Sequence, residues 1–245
     1  MSSNIVCPSA PKRILLKITG KLFTGPDGKT ADATAVRALI PQLAVLAKSH
    51  CVGIVIGGGN FFRGSQQGTA LGITPSVGHQ VGMLATLMNG LMLQDLLAQQ
   101  GLTSTLLSAL PCPTVGHCIC PQAINQALTR GDIILFGGGT GAPYVTTDTN
   151  AVIRGLQMDA DQVWKCTDVD GVYSVDPKKN PLAERFATIS YEKALALHVG
   201  VIDQTALIIA QQNDLPIRLF SIQEPEALLR AAQEPQFGTL ISNQE

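Results

Sequence analysis

Short runs of apolar residues alternate along the chain with longer segments in which apolar residues recur at helical spacing. The apolar runs predict buried strands at residues 13–18, 52–56, 104–108, 133–136, 162–166, 217–220 and 238–241. The segments with a period of three to four residues predict helices at residues 34–49, 78–99, 121–129, 148–158, 203–213 and 225–233. Pro41 lies inside the first helical segment and predicts a kink or a late start there.

This alternation predicts the fold class. Strands that are apolar on both faces and alternate with helices are typical of an α/β fold, in which helices cover both sides of a mostly parallel sheet. Residues 172–175 break the rhythm, because they form a short alternating piece between turn signals. They predict a small β excursion from the sheet.

Composition narrows the class of protein further. The 245 residues are enough to bury a substantial core without disulfides or structural metals, and one domain over residues 1–245 is expected, with residues 1–11 as a flexible tail. Only 14% of residues are charged and the net charge is −1, so neither a nucleic-acid partner nor a polybasic membrane surface is predicted. No signal peptide and no run of eighteen apolar residues is recognisable, which predicts no transmembrane helix. So low a charge suggests that other elements or other subunits cover the helices.

The six cysteines are interpreted as reduced thiols. Cys112, His117, Cys118 and Cys120 lie close together in the sequence. Their spacing does not match the paired C-x-x-C pattern of metal knuckles, so we interpret them as incidental thiols and predict no metal-ligating residues.

Two glycine-rich turns, residues 57–59 and 137–141, follow predicted strands and precede helices. Ligands of open parallel sheets bind beyond the carboxyl ends of the strands. Glycine lets backbone N–H groups approach an anion there, and the following helix N-terminus adds a favourable field. With Lys17 and Arg63 at the same predicted edge, the pattern favours phosphoryl transfer, which needs positioning and charge neutralisation.

Simpler interpretations exist for each feature taken singly. Either glycine run could be a plain tight turn, and Lys17 a solvated residue at a strand end. No P-loop motif is present. A loose dinucleotide fingerprint spans residues 137–142, but it follows the fourth strand, and the acidic Asp159 closes a helix rather than a second strand.

Several segments resemble the bacterial uridylate (UMP) kinases of the amino-acid-kinase superfamily. The resemblance runs from about residue 12 to 242 and is most specific at residues 55–64, 82–90 and 169–181. It implies a three-layer αβα amino-acid-kinase fold and transfer of the ATP γ-phosphoryl group to UMP, with Mg²⁺, to give UDP in pyrimidine biosynthesis. It also implies a cytoplasmic homohexamer.

The resemblance also assigns roles to residues of this chain. The implied catalytic residues are Lys17, which would neutralise the transferring phosphoryl group, and Asp148 and Asp203, which would orient the lysine or the metal. The implied ATP-binding residues are Lys17, Thr19, Gly20, Gly59, Arg63, Thr167, Tyr173 and Asp176. The implied UMP-binding residues are Gly58, His79, Thr140, Gly141, Ala142, Pro143, Tyr144, Val145, Thr146 and Thr147.

Four positions depart from the family pattern. Lys21 stands where the family usually has Glu, and Asp168 replaces a frequent Lys or Asn. His79 and Ala142 replace Asp and Asn beside the acceptor nucleoside. The phosphate-handling residues are kept, so we predict a UMP kinase.

Two other functions stay open at this point. One is a sister kinase with an acidic or carbamoyl acceptor, because two of the changes, His79 and Ala142, lie on the acceptor side. The other is a non-catalytic nucleotide-binding regulator or storage protein, which the retention of Lys17, Asp148 and Asp203 disfavours.

Overall fold

A computed structural model describes residues 13–25, 28, 32–62, 67–68, 70–175, 177, 180 and 182–244. In chain order, the strands β1 to β9 are Arg13–Ile18, Cys51–Ile56, Ser104–Ser108, His117–Cys118, Ile133–Gly137, Gln162–Thr167, Thr188–Ser190, Ile217–Ser221 and Thr239–Ser242. The helices named here α1 to α7 are Thr34–Leu46, Pro75–Ala98, Pro121–Arg130, Thr147–Gln157, Tyr191–Ala196, Gln204–Gln212 and Ala227–Gln233.

The strands form one sheet in the order β4-β3-β5-β2-β1-β6-β8-β9-β7. Neighbouring strands run parallel except β8 and β9, which are antiparallel. The predicted mostly parallel sheet is confirmed. Its central strands β5, β2, β1 and β6 are parallel and end at one edge, and the connections that leave β2 and β5 carry the two glycine turns.

Alternate residues of β1 face two separate apolar clusters. Ile14 and Leu16 pack on one side with α1, α2 and α7. Leu15 packs on the other side with α3, α4, α5 and α6. Helices therefore cover both faces of the sheet, which confirms the αβα arrangement.

The structure differs from the predicted elements mainly at the sheet margins. The short strands β4 and β7 and the six-residue helix α5 were not predicted, because β4 is exposed and β7 buries one residue, so neither leaves an apolar run. The predicted β excursion is present only as an isolated antiparallel bridge between Tyr173 and Arg185, and no strand is formed by the described residues there. Helix α1 begins at Thr34 and continues past Pro41, which lies on its exposed side.

Helix α2 bears on the expectation that the chain has no transmembrane helix. By length and composition alone it is apolar enough to cross a membrane, and half of its most apolar window is buried in the structure. A helix that packs in the core of a soluble protein satisfies the same criterion, so length and composition do not by themselves indicate a membrane span here.

Candidate active site

Two lysines lie side by side near the carboxyl ends of the central strands. Lys17 on β1 is in register with Lys165 on β6. Asp148, in the first turn of α4, bridges them: its Oδ1 lies 3.0 Å from the Nζ of Lys17, and its Oδ2 contacts the Nζ of Lys165. All three side chains are at most 15% exposed. The cluster therefore places two cations on one carboxylate and leaves a net positive charge in a nearly dry position.

The ionisation of this cluster follows from its burial. Burial alone would raise the pKa of Asp148, but the charges of Lys17 and Lys165 outweigh it and hold that pKa below its ordinary value. Burial and then the charge of Lys17 lower the pKa of Lys165 to about 8, although Asp148 acts in the opposite direction. Lys165 is thus a cation at neutral pH that shares the carboxylate of Asp148 with Lys17. An added anion would stabilise its charge.

Asp203 holds two helix N-termini together. Its Oδ1 accepts from the backbone N–H of Ala206 at 2.8 Å, as the N-cap of α6. Its carboxylate also accepts from the hydroxyl of Thr149 at 2.9 Å and from that of Thr146, which caps α4. Among the described residues no ion pair joins Asp203 to a lysine. Its contacts position the end of α4 that carries Asp148, and its charge acts on Lys165 only from a distance.

The first glycine turn, which follows β2, is packed backbone to backbone. The carbonyl of Gly57 accepts from the amide of the buried Asn89 at 2.7 Å. A Cβ on Gly58 would lie 2.6 Å from the carbonyl oxygen of Gly82 on α2, and a Cβ on Gly20 would lie 2.3 Å from the carbonyl oxygen of Gly57. Only glycine admits approaches this close, so β1, the turn and α2 converge at the sheet edge.

The second glycine turn, which follows β5, uses backbone conformations that favour glycine. Gly138, Gly139 and Gly141 have φ of 75°, 60° and 82°. The N–H of Gly138 donates to the hydroxyl of the buried Thr86 at 2.8 Å. The guanidinium of Arg154 donates to the carbonyl of Gly139 at 3.0 Å. Two buried side chains thus hold the turn from behind.

Both glycine turns face a first cavity. Most of the residues predicted to bind UMP line it, namely Gly58, His79, Thr140, Ala142, Val145, Thr146 and Thr147. Gly59, predicted for ATP, lines the same cavity. Gly141, Pro143 and Tyr144 do not, although the ring of Tyr144 lies 5.0 Å from that of His79 at the mouth.

A second cavity of about 430 Å³ is lined by the segment that follows β6 and by residues 197–201. Its size suits a small-molecule ligand. Tyr173, predicted for ATP, lines this cavity. Thr167 does not, and its hydroxyl lies 3.2 Å from a carboxylate oxygen of Asp168.

The remaining residues predicted for ATP fall into two groups. Thr19 and Gly20 lie directly after β1, where the hydroxyl of Thr19 accepts from the N–H of Lys21 at 3.3 Å. Arg63 and Asp176 lie outside the described residues.

Two departures from the family pattern turn out to be neighbours. The Nζ of Lys21 lies 3.7 Å from Oδ2 of Asp168, across the ends of β1 and β6. Both side chains are more than half exposed, so the pair contributes little to stability. The pairing nevertheless places the two opposite charges of these departures side by side.

Sequence reasoning missed the buried polar residues that support the site, above all Lys165 and Arg154. A signal was present: Lys165 is a lysine inside an otherwise apolar strand, and lysine is almost never buried without a partner. Asn89 and Thr86 gave a similar signal, as polar residues on the buried side of an apolar helix.

The cysteine-rich segment has a structural role. The Sγ of Cys120 accepts from the N–H of Ala123 and so caps α3. Cys118 lies in β4, and the five described cysteines are free thiols. Within the described residues, no group of three or more His, Cys, Asp or Glu side chains is arranged to hold a metal ion.

A mostly parallel sheet with two glycine turns and a lysine–aspartate–lysine cluster at its edge defines an α/β protein whose sheet edge has the chemistry of an anion site. The sequence profile of the amino acid kinase family matches residues 12–221. The chain belongs to the amino acid kinase family.

Solved structures extend the comparison to nearly the whole chain. UMP kinase from Bacillus anthracis is 30% identical, with a TM-score of 0.92 over 96% of this chain and 98% of that one. UMP kinase from Ureaplasma parvum is 33% identical, with a TM-score of 0.90 over 94% and 98%. Uridylate kinase from Archaeoglobus fulgidus, at 22% identity and a TM-score of 0.74 over 94% and 99%, shares the fold.

Proposed function

We propose that this protein is a UMP kinase, which transfers the γ-phosphoryl group of ATP to UMP and releases UDP and ADP. The observation that carries the proposal is the bridging of Lys17 and Lys165 by Asp148. Asp148 directly follows Thr147 of the first cavity, and Lys165 lies on β6, whose following segment lines the second cavity. The similarity to two bacterial UMP kinases over nearly their whole length supports the choice of acceptor. We further propose that the reaction serves pyrimidine nucleotide synthesis in the cytoplasm.

The chemistry asks for positioning more than for covalent help. The phosphate monoester of UMP is largely a dianion at neutral pH, so its oxygen can attack without a general base. Negative charge spreads over the γ-phosphoryl group in the transition state and needs cations that are already in place. The ammonium groups of Lys17 and Lys165 supply that charge, and Asp148 fixes their separation.

The two cavities divide the substrates between them. UMP occupies the first cavity, with its phosphate against the glycine turns and its nucleoside toward His79. ATP occupies the second, with its adenosine beside Tyr173 and its phosphates reaching Lys17 along Thr19 and Gly20. The family resemblance also assigns Arg63 and Asp176 to the ATP site.

We propose that Mg²⁺ binds to this protein together with ATP, the phosphoryl donor. The carboxylates of Asp148 and Asp203 already contact lysines and hydroxyls, which leaves few protein oxygens for a resident ion. Mg²⁺ that keeps several waters and binds mainly to nucleotide phosphates fits such a site. We therefore propose Mg-ATP as the substrate complex.

We propose that the protein assembles as a homohexamer, as its resemblance to the bacterial UMP kinases implies, and that an exposed apolar stripe on α2 forms one of the subunit contacts. Leu84, Met88 and Leu91 recur at helical spacing and are 46% to 51% exposed. A soluble chain covers such a stripe against another surface, and a second copy of the same stripe is the simplest partner.

A coupled assay for UDP formation tests the function. Purified protein with Mg-ATP and UMP is expected to form UDP, whereas CMP, acetylglutamate, aspartate and carbamate are expected to be poor acceptors. Lys17→Ala is expected to lower kcat by about 100-fold or more while changing nucleotide affinity far less, because its charge acts mainly in the transition state. Lys48→Ala, at an exposed lysine, is the matched control.

Each contrary result points to a different function. If the protein forms no UDP but phosphorylates another acceptor, the result would support the sister kinase. ATP binding without turnover on any acceptor would support a nucleotide-binding regulator.

A further inference from the structure

Arg154 is a buried cation behind the second glycine turn. Its residue is 5% exposed, on the inner face of α4. Its guanidinium donates to the carbonyl of Gly139 at 3.0 Å and to the side-chain oxygen of Gln157 at 2.7 Å. Its Nε–H has no hydrogen-bond partner, and no carboxylate forms an ion pair with it among the described residues.

Packing alone does not account for this arginine. Burial lowers its pKa to about 10, yet it remains a cation at neutral pH. A buried charge without a counter-ion is unfavourable, and an apolar side chain of similar volume would fill the same space without that cost. Its place in the last turn of α4, near the helix carbonyls, offsets only part of the cost. The cation therefore stabilises something other than the core.

Its contact with Gly139 sets the direction of the next N–H group. In a planar trans peptide, the carbonyl of Gly139 and the N–H of Thr140 point in opposite directions, and the described chain has no cis peptide. Since the carbonyl points back to Arg154, the N–H of Thr140 points away from it. Thr140 lines the first cavity, and no acceptor for its N–H occurs among the described residues.

The flanking glycines make this constraint necessary. Gly138, Gly139 and Gly141 all adopt positive φ, and glycine is free to leave such conformations. Rotation of the Gly139–Thr140 peptide would turn a carbonyl oxygen toward the cavity instead of an N–H. A carbonyl there would repel a phosphate, so the orientation of this one peptide decides whether the turn binds an anion.

We propose that Arg154 is a positioning residue that holds the Thr140 N–H toward the phosphate monoester of the acceptor, and that its uncompensated charge strengthens this position for a dianion. The inference rests on the proposed function for the identity of the acceptor. It requires no contact between Arg154 and the substrate.

Binding of UMP and of uridine to Arg154→Met and Arg154→Lys tests the inference, because uridine lacks the phosphate. By calorimetry, Arg154→Met is expected to weaken UMP binding on the order of 10- to 100-fold, as for loss of a charge-assisted hydrogen bond. Uridine binding and the KM for ATP are expected to stay within about twofold, and Arg154→Lys to recover part of the UMP affinity.

Arg218 provides a matched control. It is also buried, at 7% exposure, and donates to the backbone carbonyls of Pro235 and Phe237 away from the glycine turns. Arg218→Met is expected to lower the melting temperature without changing the ratio of UMP to uridine affinity.

Every outcome decides the inference. Equal losses for UMP and uridine, unchanged UMP binding, or the same ratio change in Arg218→Met would overturn it. If Arg154→Met does not fold, Arg154→Lys and Arg154→Gln are expected to show a smaller loss of the same kind, and no loss in either would overturn it. A wild-type chain that binds UMP but forms no UDP overturns only the proposed function, whereas one that does not bind UMP overturns both.

Discussion

The lysine–aspartate–lysine cluster shows how a few side chains acquire unusual properties from their surroundings. One carboxylate serves two ammonium groups, so neither lysine is fully neutralised. The charge of Lys165 is the more unfavourable of the two, because this side chain is more deeply buried than that of Lys17. Under the proposed function, we expect the phosphate oxygens of a bound nucleotide to stabilise this positively charged arrangement.

Lys165 should give nucleotide binding an alkaline limit. In the free protein its pKa is lowered to about 8, and bound phosphates would raise it again. A group that holds its proton more strongly in the complex favours binding below the free-state pKa, and this advantage is lost as pH rises above it. The affinity for ATP, measured by calorimetry from pH 7 to pH 10, is therefore expected to fall from about pH 8 upward, with proton uptake on binding near that pH.

Lys165 also makes the free energy of unfolding depend on pH, and this effect has the opposite direction. The unfolded pKa is 10.5, so the unfolded chain binds this proton more strongly between about pH 8 and 10.5. Through Lys165 alone, the free energy of unfolding rises with pH across that window. Lys165→Arg, which stays charged, should abolish both pH effects; an unchanged profile in that variant would show that another group is responsible.

At the scale of elements, the site depends on where helices begin. The N-terminus of α4 carries Asp148. The N-terminus of α6 comes shortly after residues 197–201, which line the second cavity. Asp203 joins the two through its bonds to Thr146, Thr149 and the α6 backbone. One side chain thus links Thr146, which lines the first cavity, to the start of α6, which follows the residues that line the second.

Asp203→Ala is expected to reduce both stability and activity. It removes a helix cap, which typically costs about 0.5–2 kcal/mol, and it releases the two threonines that hold the start of α4. Thermal unfolding should shift downward, and kcat for UDP formation should fall by about tenfold or more as Asp148 loses its fixed position.

Ser190→Ala is the matched control for this variant. Ser190 caps α5 through a bond to the N–H of Lys193 at 3.3 Å, away from the lysine cluster. We expect a lower melting temperature with kcat unchanged. A similar kcat loss in both variants would mean that activity follows overall stability rather than the contacts of Asp203.

At the scale of the whole molecule, the apolar stripe on α2 remains exposed to solvent in the single chain. Met88→Glu is expected to break the assembly, because a charge buried against an apolar partner surface is strongly unfavourable. Light scattering should give a hexamer for the wild type and a smaller species for the variant. Ile208→Glu, at a 43% exposed apolar residue on α6, should leave the mass unchanged, and a monomeric wild type would refute the hexamer.

The central part of the fold could be predicted well because burial on both faces leaves continuous apolar runs. The predicted strands at β1, β2, β3, β5, β6, β8 and β9 are all present, within a residue or two of their bounds. The margins could not, since β4 and β7 are short and are defined by pairing to a neighbour rather than by their own composition. The antiparallel direction of β9 likewise depends on the path of the chain.

The sequence by itself determined the α/β class, the two glycine turns and the position of Lys17 near the sheet edge, because periodicity and turn chemistry are local properties. Asp148 was indicated only by the family resemblance. Only the tertiary structure decided that Lys165 shares the carboxylate of Asp148, that Asp203 joins two helices, and that Arg154 holds the Gly139 peptide. These contacts join residues from separate elements. Their energies come from burial and distance, which the pairing of strands sets and which no local pattern records.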